Sequence, residues 1–246
     1  MTGLMLECSA RSDVGRRPNN EDSVFVSPRL AAVADGVGGS AAGEVASRTL
    51  IVALMHVDKC RLQGRVEDAL SEGIARGNQA IGFIAGCRPA MAGMSTTVTA
   101  VALGDDGYVV ANLGDSRTYL LRDGALTQLT HDDSWVQLMI DSGELTPEAA
   151  RDHPQRSLVL AALDGEPDRA PSLTTFAARP GDRLLLCSDG LSDVLDDATI
   201  AATLRGASRA ECAGRLIDLA LAAGGPDNIS AVVADVARRD DPTAAW

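Results

Sequence analysis

The sequence lacks an excess of positive charge. Its 246 residues include 22 Lys and Arg against 34 Asp and Glu, which gives a formal net charge of −12. Nucleic acids and anionic membrane surfaces bind proteins through basic faces, so this composition argues against both as partners. An acidic excess instead suits the binding of cations.

A long apolar run is also missing. No stretch approaches the ~20 apolar residues that a membrane span needs. The N-terminus, M-T-G-L-M-L-E-C, has no basic segment followed by an apolar one, so it does not read as a leader. We expect a soluble protein that is not exported, that has no membrane partner and that lies in the cytoplasm.

Cysteine and histidine are few and scattered. The five cysteines are odd in number, widely spaced and without a C-x-x-C pair, so the sequence predicts neither a disulfide framework nor a zinc site. Cysteine usage of this kind fits a reducing compartment. The three histidines show no spacing typical of metal ligands.

Length and composition predict one large domain. At 46% apolar residues the chain is long enough to bury a full core. No internal repeat, low-complexity segment or linker rich in Pro, Gly or Ser interrupts it. We expect one catalytic domain over residues 1–240, a short C-terminal tail at 241–246, and a monomer.

The periodicity of apolar residues predicts helices first and strands later. Helical spacing over 46–57 and 66–84 indicates two amphipathic helices. From Ser95 the segments S-T-T-V-T-A-V-A-L and Y-V-V-A-N-L predict an antiparallel hairpin, which we expect to continue as a meander through 118–122 and 126–129. These strands are apolar on both faces, so we expect sheets that are covered on both sides.

Regular patterns fade between residues 131 and 165. Short helical pieces at 133–140 and 147–151 are separated by S-G-E-L-T-P and H-P-Q-R-S. Long irregular segments in compact domains are usually functional, so we interpret 131–165 as a mobile flap. An ordinary pair of surface helices is the alternative.

Four aspartates stand where an apolar strand begins or ends, each beside a glycine or asparagine: Asp35, Asp115, Asp189 and Asp227. A single Asp-Gly after a strand is more often only a turn. Four of them suggest a site, because strand ends can converge on one edge of packed sheets. Carboxylates gathered there raise one another's pKa and cost stability unless cations are bound.

All-oxygen ligands select Mg²⁺ or Mn²⁺ over zinc or copper, and Ca²⁺ stays open although no EF-hand spacing is present. Two such cations about 3.5–4 Å apart can lower the pKa of a shared water and hold a phosphoryl group for in-line attack. A guanidinium is the expected complement, and Arg17 or Arg16 supplies it. The residues therefore predict phosphoester hydrolysis.

The chain closely resembles the bacterial metal-dependent Ser/Thr protein phosphatases of the 2C type, the PPM family. The resemblance lies in six motifs in the same order: S-D-V-G-R-R-P-N-N-E-D-S, A-D-G-V-G-G-S-A-A-G-E, G-M-S-T-T, N-L-G-D-S-R, L-L-C-S-D-G-L-S-D and G-G-P-D-N-I-S. It implies an α+β fold, a four-layer α-β-β-α sandwich of two antiparallel sheets flanked by helices. A binuclear Mn²⁺ or Mg²⁺ centre would lie at one edge.

The resemblance also implies the metal ligands. Asp35 would bridge both ions, and the carbonyl of Gly36 would bind the second. Asp189 and Asp227 would hold the first, while Glu21 would act through a metal-bound water.

The resemblance also implies residues that bind a third ion, that support the metal ligands and that bind the substrate. Asp115 would share a labile third ion with Asp189, and Asp22 would support the ligands without touching an ion. Arg17 would bind the substrate phosphate and, with Asp35, form the catalytic pair. The resemblance implies direct attack by metal-bound hydroxide, without a phosphoenzyme.

One position departs from the family pattern. Many bacterial relatives have a histidine proposed to transfer protons where this chain has Ser40. Ser40 is thus a possible proton-transfer position, and the acid for the leaving group stays open. We assign no catalytic role to His56, His131 or His153.

The main functional prediction is hydrolysis of phosphoserine and phosphothreonine on proteins, opposing a bacterial Ser/Thr kinase that is itself among the expected partners. One alternative is a catalytically weak regulatory module that binds phosphoproteins. The complete acidic set disfavours it, because binding alone needs no such cluster. A phosphatase for small phosphoesters is the other alternative.

Overall fold

The computed structural model describes residues 3–38, 42–60, 65–104, 107–151, 153–206 and 208–239. Its helices are α1 (Ala42–Cys60), α2 (Val66–Cys87), α3 (Trp135–Asp141), α4 (Pro147–Arg151), α5 (Asp189–Ser192), α6 (Asp197–Leu204) and α7 (Arg209–Ala222), with a 3₁₀ turn at Pro89–Met91. Its strands are β1 (Leu4–Asp13), β2 (Ser23–Val26), β3 (Leu30–Ala34), β4 (Gly36–Val37), β5 (Ser95–Thr96), β6 (Val98–Leu103), β7 (Tyr108–Leu113), β8 (Arg117–Arg122), β9 (Ala125–Gln128), β10 (Ser172–Phe176), β11 (Arg183–Cys187) and β12 (Ile229–Arg238).

The strands form two five-stranded sheets and one short pair. The first sheet has the order β1-β12-β11-β8-β9, the second has the order β10-β7-β6-β3-β2, and β4 pairs with β5. Neighbouring strands in both sheets run antiparallel. Every residue of β3, β6 and β7 is buried, which is why their sequences are apolar on both faces.

Three hydrophobic cores separate four layers. Helices α1 and α2 pack on the outer face of the second sheet through Leu50 and Leu70, among others. Helices α6 and α7 cover the first sheet through Leu204 and Leu216. Between the sheets lies a third core that includes Tyr108. The predicted α-β-β-α sandwich is therefore confirmed.

The two long helices, the antiparallel β6–β7 hairpin and the short helical pieces at 131–165 agree with the sequence analysis. The two strands predicted next are present as the antiparallel pair β8–β9. They do not continue the hairpin as a meander, because the chain leaves the second sheet after β7 and enters the first at β8. Strands that are apolar on both faces fit either sheet, so their pattern could not show the crossing. Strand β10 and helix α5 were not predicted from the sequence.

Within the described ranges every helix is too short or too polar to span a membrane. The predicted tail at 241–246 lies outside the described residues.

The crossing gathers strand ends at one edge of the sandwich. In the second sheet Val98, the first residue of β6, pairs with Leu113, the last of β7. In the first sheet Cys187, which ends β11, pairs with both Arg117 and Ala231 at the starts of β8 and β12. The loops that carry the four aspartates therefore leave the sheets at this edge.

The segment 131–165 is joined to the sandwich at both ends. Near its start, Asp133 accepts the N–H of Gly114 through its side chain at 2.9 Å. At its end, the N–H of Gly165 donates to Asn78 Oδ1 of α2 at 2.7 Å, and Asn78 Nδ2 donates to the carbonyl of Glu166 at 2.7 Å. The mobility of this flap stays a prediction.

The contact between Gly165 and α2 predicts a stability effect. A Cβ on Gly165, whose φ is +93°, would overlap the Cα of Gly82. We expect Gly165→Ala to lower the free energy of unfolding through both backbone strain, ~1–2 kcal/mol, and overpacking, ~1–3 kcal/mol. Chemical denaturation of the purified protein measures it.

Gly143→Ala is the matched control, because Gly143 also has a positive φ, +77°, but a Cβ there meets nothing within 4 Å. In this variant the free energy of unfolding should fall only by the contribution of backbone strain. Equal losses in the two variants would contradict the close packing of Gly165 on α2.

Candidate metal centre

Asp35 stands at the end of the buried strand β3 with its backbone fully bonded. Its N–H donates to Thr97 Oγ1 at 3.1 Å, and its carbonyl accepts the N–H of Thr97 at 2.8 Å. The hydroxyl of Thr96 donates to the same carbonyl at 2.9 Å. These neighbours therefore fix the backbone from which the Asp35 carboxylate projects.

Gly36 follows in a space that admits no side chain. A Cβ there would overlap the carbonyl of Gly43 in the first turn of α1. The N–H of Gly36 donates to the carbonyl of Glu21 at 3.2 Å, which brings the N-terminal loop beside the Asp35 turn. This crowding explains the glycine after Asp35.

Asn228 joins the N-terminal loop to the start of β12. Its Oδ1 accepts the N–H of Glu21 at 2.8 Å, and its Nδ2 donates to the carbonyls of Val14 and Asn19, each at 2.9 Å. Gly15 lies so close to this turn that a Cβ on it would overlap the carbonyl of Asp227. In the sequence Asn228 was noted only as the asparagine beside Asp227, and its bonds to the N-terminal loop were not predicted.

These elements enclose a cavity of about 230 Å³ at the sheet edge. Its walls include every residue to which the resemblance gives a role in binding ions or phosphate: Arg17, Glu21, Asp35, Gly36, Asp115, Asp189 and Asp227. Thr97, Ser157, Val159 and Asn228 also line it. Ser157 and Val159 belong to the flap, so the flap contributes one wall.

Arg17 reaches the acidic wall through an ion pair. Its Nη2 lies 2.6 Å from Asp227 Oδ2, and about half of its side chain, 55%, is exposed. The hydrogen bond and the charge of Asp227 raise the pKa of Arg17. Arg16 binds Gly225 through its backbone N–H and, within the described ranges, does not line the cavity. The geometry thus favours Arg17 over Arg16 as the phosphate ligand.

The carboxylates are close enough to perturb one another. Burial raises the pKa of Asp35 well above its usual value, and the charges of Asp22, Asp189 and Asp115 raise it further. Burial and then the charge of Asp189 raise the pKa of Asp115, while burial and then Asp227 raise that of Asp189. The charge of Asp189 therefore acts on both Asp35 and Asp115.

Asp22 lies behind this wall and is not among the described residues that line the cavity. Ser188 Oγ donates to its Oδ2 at 2.8 Å. Burial, with added repulsion from Asp189 and Asp227, raises the pKa of Asp22 to about 7. These contacts fit a residue that supports the ligands rather than one that binds an ion.

The donor set fits a hard cation. Within the described part of the chain the buried oxygen Asp189 Oδ1 has no hydrogen-bond partner, and apart from Arg17 the titratable side chains that line the cavity are carboxylates. No three His, Cys, Asp or Glu side chains among the described residues already stand in a metal-binding arrangement. Asp227 Oδ2 accepts a hydrogen bond from Arg17 at 2.6 Å. Binding an ion through this oxygen would therefore require the ion pair to separate.

Asp115 sits in the turn that crosses between the sheets. Gly114 before it has a φ of +103°, and Asp115 itself is almost fully buried. Beneath the turn, the guanidinium of Arg117 binds Asp132 in a fork, with donor–acceptor distances of 2.6–3.1 Å. This buried pair holds the start of β8 and was missed by the sequence analysis.

Of the polar positions left open by the sequence, Ser40 lies outside the described residues. His153 packs against Trp135 in the flap, with ring centroids 4.9 Å apart, and its Nδ1 accepts the N–H of Gln155. His131 pairs with Asp141 at 3.0 Å, and His56 lies on α1. None of these three histidines, all within the described ranges, lines the cavity.

Similar proteins share both the sequence and this architecture. The serine/threonine protein phosphatase PstP of Mycobacterium tuberculosis is 51% identical over 238 residues, which are 96% of this chain and 46% of that protein. This chain thus spans about half the length of that relative. A putative protein phosphatase 2C-type of Streptococcus pyogenes is 35% identical over 92% of this chain and 95% of its own length.

Solved structures of related proteins superpose closely on this chain. A crystal structure of M. tuberculosis PstP superposes with a TM-score of 0.92 at 50% identity, covering 95% of this chain and 99% of that one. A structure of the PstP catalytic domain described as a complex with two manganese ions gives a TM-score of 0.90 at 49% identity, with the same coverage. The protein phosphatase 2C family profile matches residues 17–211. This chain is a member of the protein phosphatase 2C family.

Proposed function

We propose that the protein hydrolyses phosphoserine and phosphothreonine on proteins with the help of two Mn²⁺ or Mg²⁺ ions. The observation that carries the proposal is the meeting of an arginine with four aspartates in one cavity of a protein phosphatase 2C fold. A guanidinium can bind two phosphate oxygens in a fork. Carboxylates that are crowded together repel one another, so they favour the binding of divalent ions that neutralise them.

Asp35, Asp189, Asp227 and the carbonyl of Gly36 would hold the two ions, with Glu21 acting through water. When bound, such ions lower the pKa of water and offset charge on the phosphoryl oxygens. Asp115, together with Asp189, would hold a labile third ion.

The other residues bind and orient the substrate. Arg17 holds the phosphate oxygens at the mouth of the cavity. Ser157 and Val159 of the flap line the cavity from one side and so limit the approach of water and peptide. Ser40 is a possible position for transfer of a proton to the leaving group.

The expected partners are phosphorylated Ser/Thr proteins, including a Ser/Thr kinase that the enzyme opposes, and neither nucleic acid nor membrane. Net charge and the names of the relatives support this assignment. We further propose a cytoplasmic monomer with one catalytic domain over residues 1–240.

Two other functions remain testable against the main one. A regulatory module would bind phosphoproteins without turnover, and a small-phosphoester phosphatase would prefer compact substrates. The complete acidic wall disfavours the first. Turnover of an aryl phosphate in Mn²⁺ would distinguish an enzyme from a regulatory module. The rate on a phosphothreonine peptide, compared with the rates on small phosphoesters, would distinguish a protein phosphatase from a small-phosphoester phosphatase.

Asp35→Asn should abolish turnover of the phosphopeptide while the protein remains folded. A bridging carboxylate has no neutral substitute, whereas removing one repelling acid does not weaken the metal-free protein. Steady-state kinetics in Mn²⁺ and circular dichroism check both parts.

The control for Asp35→Asn is Asp182→Asn, which removes a buried carboxylate bound to Arg122 at 2.7 Å, away from the cavity. It should lower the melting temperature yet retain turnover. Near wild-type turnover by Asp35→Asn would refute its role as a metal ligand.

The metal-free protein should become more stable as the pH falls from about 7.5 to 5.5. The folded-state pKa of Asp22 is about 7, and those of Asp35, Asp115 and Asp189 are raised above their value in the unfolded chain. Between the two pKa values the folded state binds more protons, so the free energy of unfolding falls as pH rises. Urea unfolding in EDTA at three pH values measures the slope.

In that experiment Asp35→Asn should flatten the slope and be more stable than the wild type at pH 7.5. Saturating Mn²⁺ should reverse the slope, because ions and protons compete for the same carboxylates. A metal-free wild type whose stability rises with pH over this window would contradict the shifted pKa values.

Arg17→Ala should raise KM by about tenfold or more with a smaller change in kcat. Hydrogen bonds to charged groups contribute about 1.5–3 kcal/mol, and contacts to non-bridging oxygens act on ground state and transition state alike. Kinetics on the phosphopeptide measure the split between KM and kcat.

Arg16→Ala is the matched control, since its neighbouring guanidinium does not line the cavity within the described ranges. It should leave both constants unchanged. The reverse pattern, with Arg16→Ala raising KM and Arg17→Ala silent, would exchange the two assignments.

A further inference from the structure

Thr97 contacts both of the turns that carry Asp35 and Asp115. Its N–H and its Oγ1 bind the carbonyl and the N–H of Asp35 at 2.8 and 3.1 Å. On the other side, the backbone of Gly114 lies so close that a Cβ there would be 2.7 Å from the Thr97 methyl group. One buried side chain therefore separates the two turns.

Ser116 completes the connection. Its Oγ lies 2.8 Å from Thr97 Oγ1, and it directly follows Asp115. Both residues are almost completely buried: Ser116 is 0% exposed and Thr97 is 1% exposed. Burying a hydroxyl is costly unless it is hydrogen-bonded, so the pair strongly prefers to stay joined.

This hydroxyl pair crosses between the sheets. Asp35 follows β3 of the second sheet, and Asp115 precedes β8 of the first. A second pair, Thr99 Oγ1 and Thr118 Oγ1 at 2.7 Å, makes the same crossing two residues further along both strands. Thr97 lines the cavity, whereas Thr99 and Thr118, both described residues, do not.

We propose that the Thr97–Ser116 pair fixes the separation between Asp35 and Asp115 and thereby sets the affinity of the centre for divalent ions. The inference rests on the proposed function, because it takes these aspartates as ligands. The two hydroxyls bond to each other, and Thr97 Oγ1 also accepts the N–H of Asp35, so both act as positioning residues. Small oxygen-ligated ions demand nearly ideal ligand positions, and partners that orient ligands typically contribute 10–100-fold in affinity.

The test compares two pairs of variants. Thr97→Val removes the hydroxyl and keeps the shape, while Ser116→Ala breaks the link between the turns and leaves the Asp35–Thr97 bonds in place. Thr99→Val and Thr118→Val remove the equivalent hydroxyls from the second pair. Mn²⁺ binding to the metal-free proteins is measured by calorimetry, and melting temperatures are measured in EDTA and in Mn²⁺.

All four variants should melt at lower temperature in EDTA, because each leaves a buried polar partner unpaired. Thr97→Val and Ser116→Ala alone should also weaken Mn²⁺ binding, by about 10–100-fold. The rise in melting temperature on adding Mn²⁺ should shrink accordingly. Thr97→Ser, which restores the hydroxyl without the methyl group, should recover most of the affinity.

Wild-type Mn²⁺ affinity in Thr97→Val and Ser116→Ala would overturn the inference while leaving the proposed function intact. An equal loss of affinity in Thr99→Val would also overturn it, since the effect would then be general to the sheet interface. A wild type that neither binds Mn²⁺ nor hydrolyses the phosphopeptide would refute the proposed function itself. Should Thr97→Val fail to fold, the smaller change in Ser116→Ala decides.

Discussion

Repulsion among buried carboxylates is the constraint on which the rest of this structure depends. Asp22, Asp35, Asp115 and Asp189 lie at one edge of the sandwich, and burial raises the pKa of each, with neighbouring aspartates adding to it. Such a cluster opposes folding unless protons or cations neutralise it. The three hydrophobic cores supply the stability that holds these groups together. Protons or cations that bind at this edge would therefore stabilise the folded protein.

The scaffold limits how the cluster can relax. Three hydrogen bonds hold the peptide groups of Asp35, and the side chain of Asn228 ties the start of β12 to the N-terminal loop. Glycines at 36 and 15 let these loops approach more closely than any side chain would allow. The backbones are therefore fixed, and the carboxylates can respond only by rotating, sharing protons or changing partners.

Much of the fold could be predicted, and the exceptions have physical reasons. Long periodic stretches identified α1 and α2, and Asp beside Gly or Asn at strand ends identified the four aspartates of the cavity. The crossing from β7 to β8 left no pattern, because strands covered on both faces suit either sheet. Strand β10 is mostly exposed at a sheet edge and so lacks a clear apolar alternation. Thr97 and Asn228 act on distant backbone groups, a role that carries no local signal.

The ion pair between Arg17 and Asp227 has a thermodynamic consequence. A carboxylate oxygen of Asp227 lies 2.6 Å from the guanidinium of Arg17. Asp227, which we propose binds an ion, therefore also neutralises Arg17, which we propose binds phosphate. In these proposed roles, an ion bound by Asp227 would release Arg17 for the substrate, and a phosphate bound by Arg17 would release Asp227 for the ion. Linkage then requires each ligand to raise the affinity for the other by the same factor. Metal supply and phosphoprotein level would thus act on this site as mutual effectors.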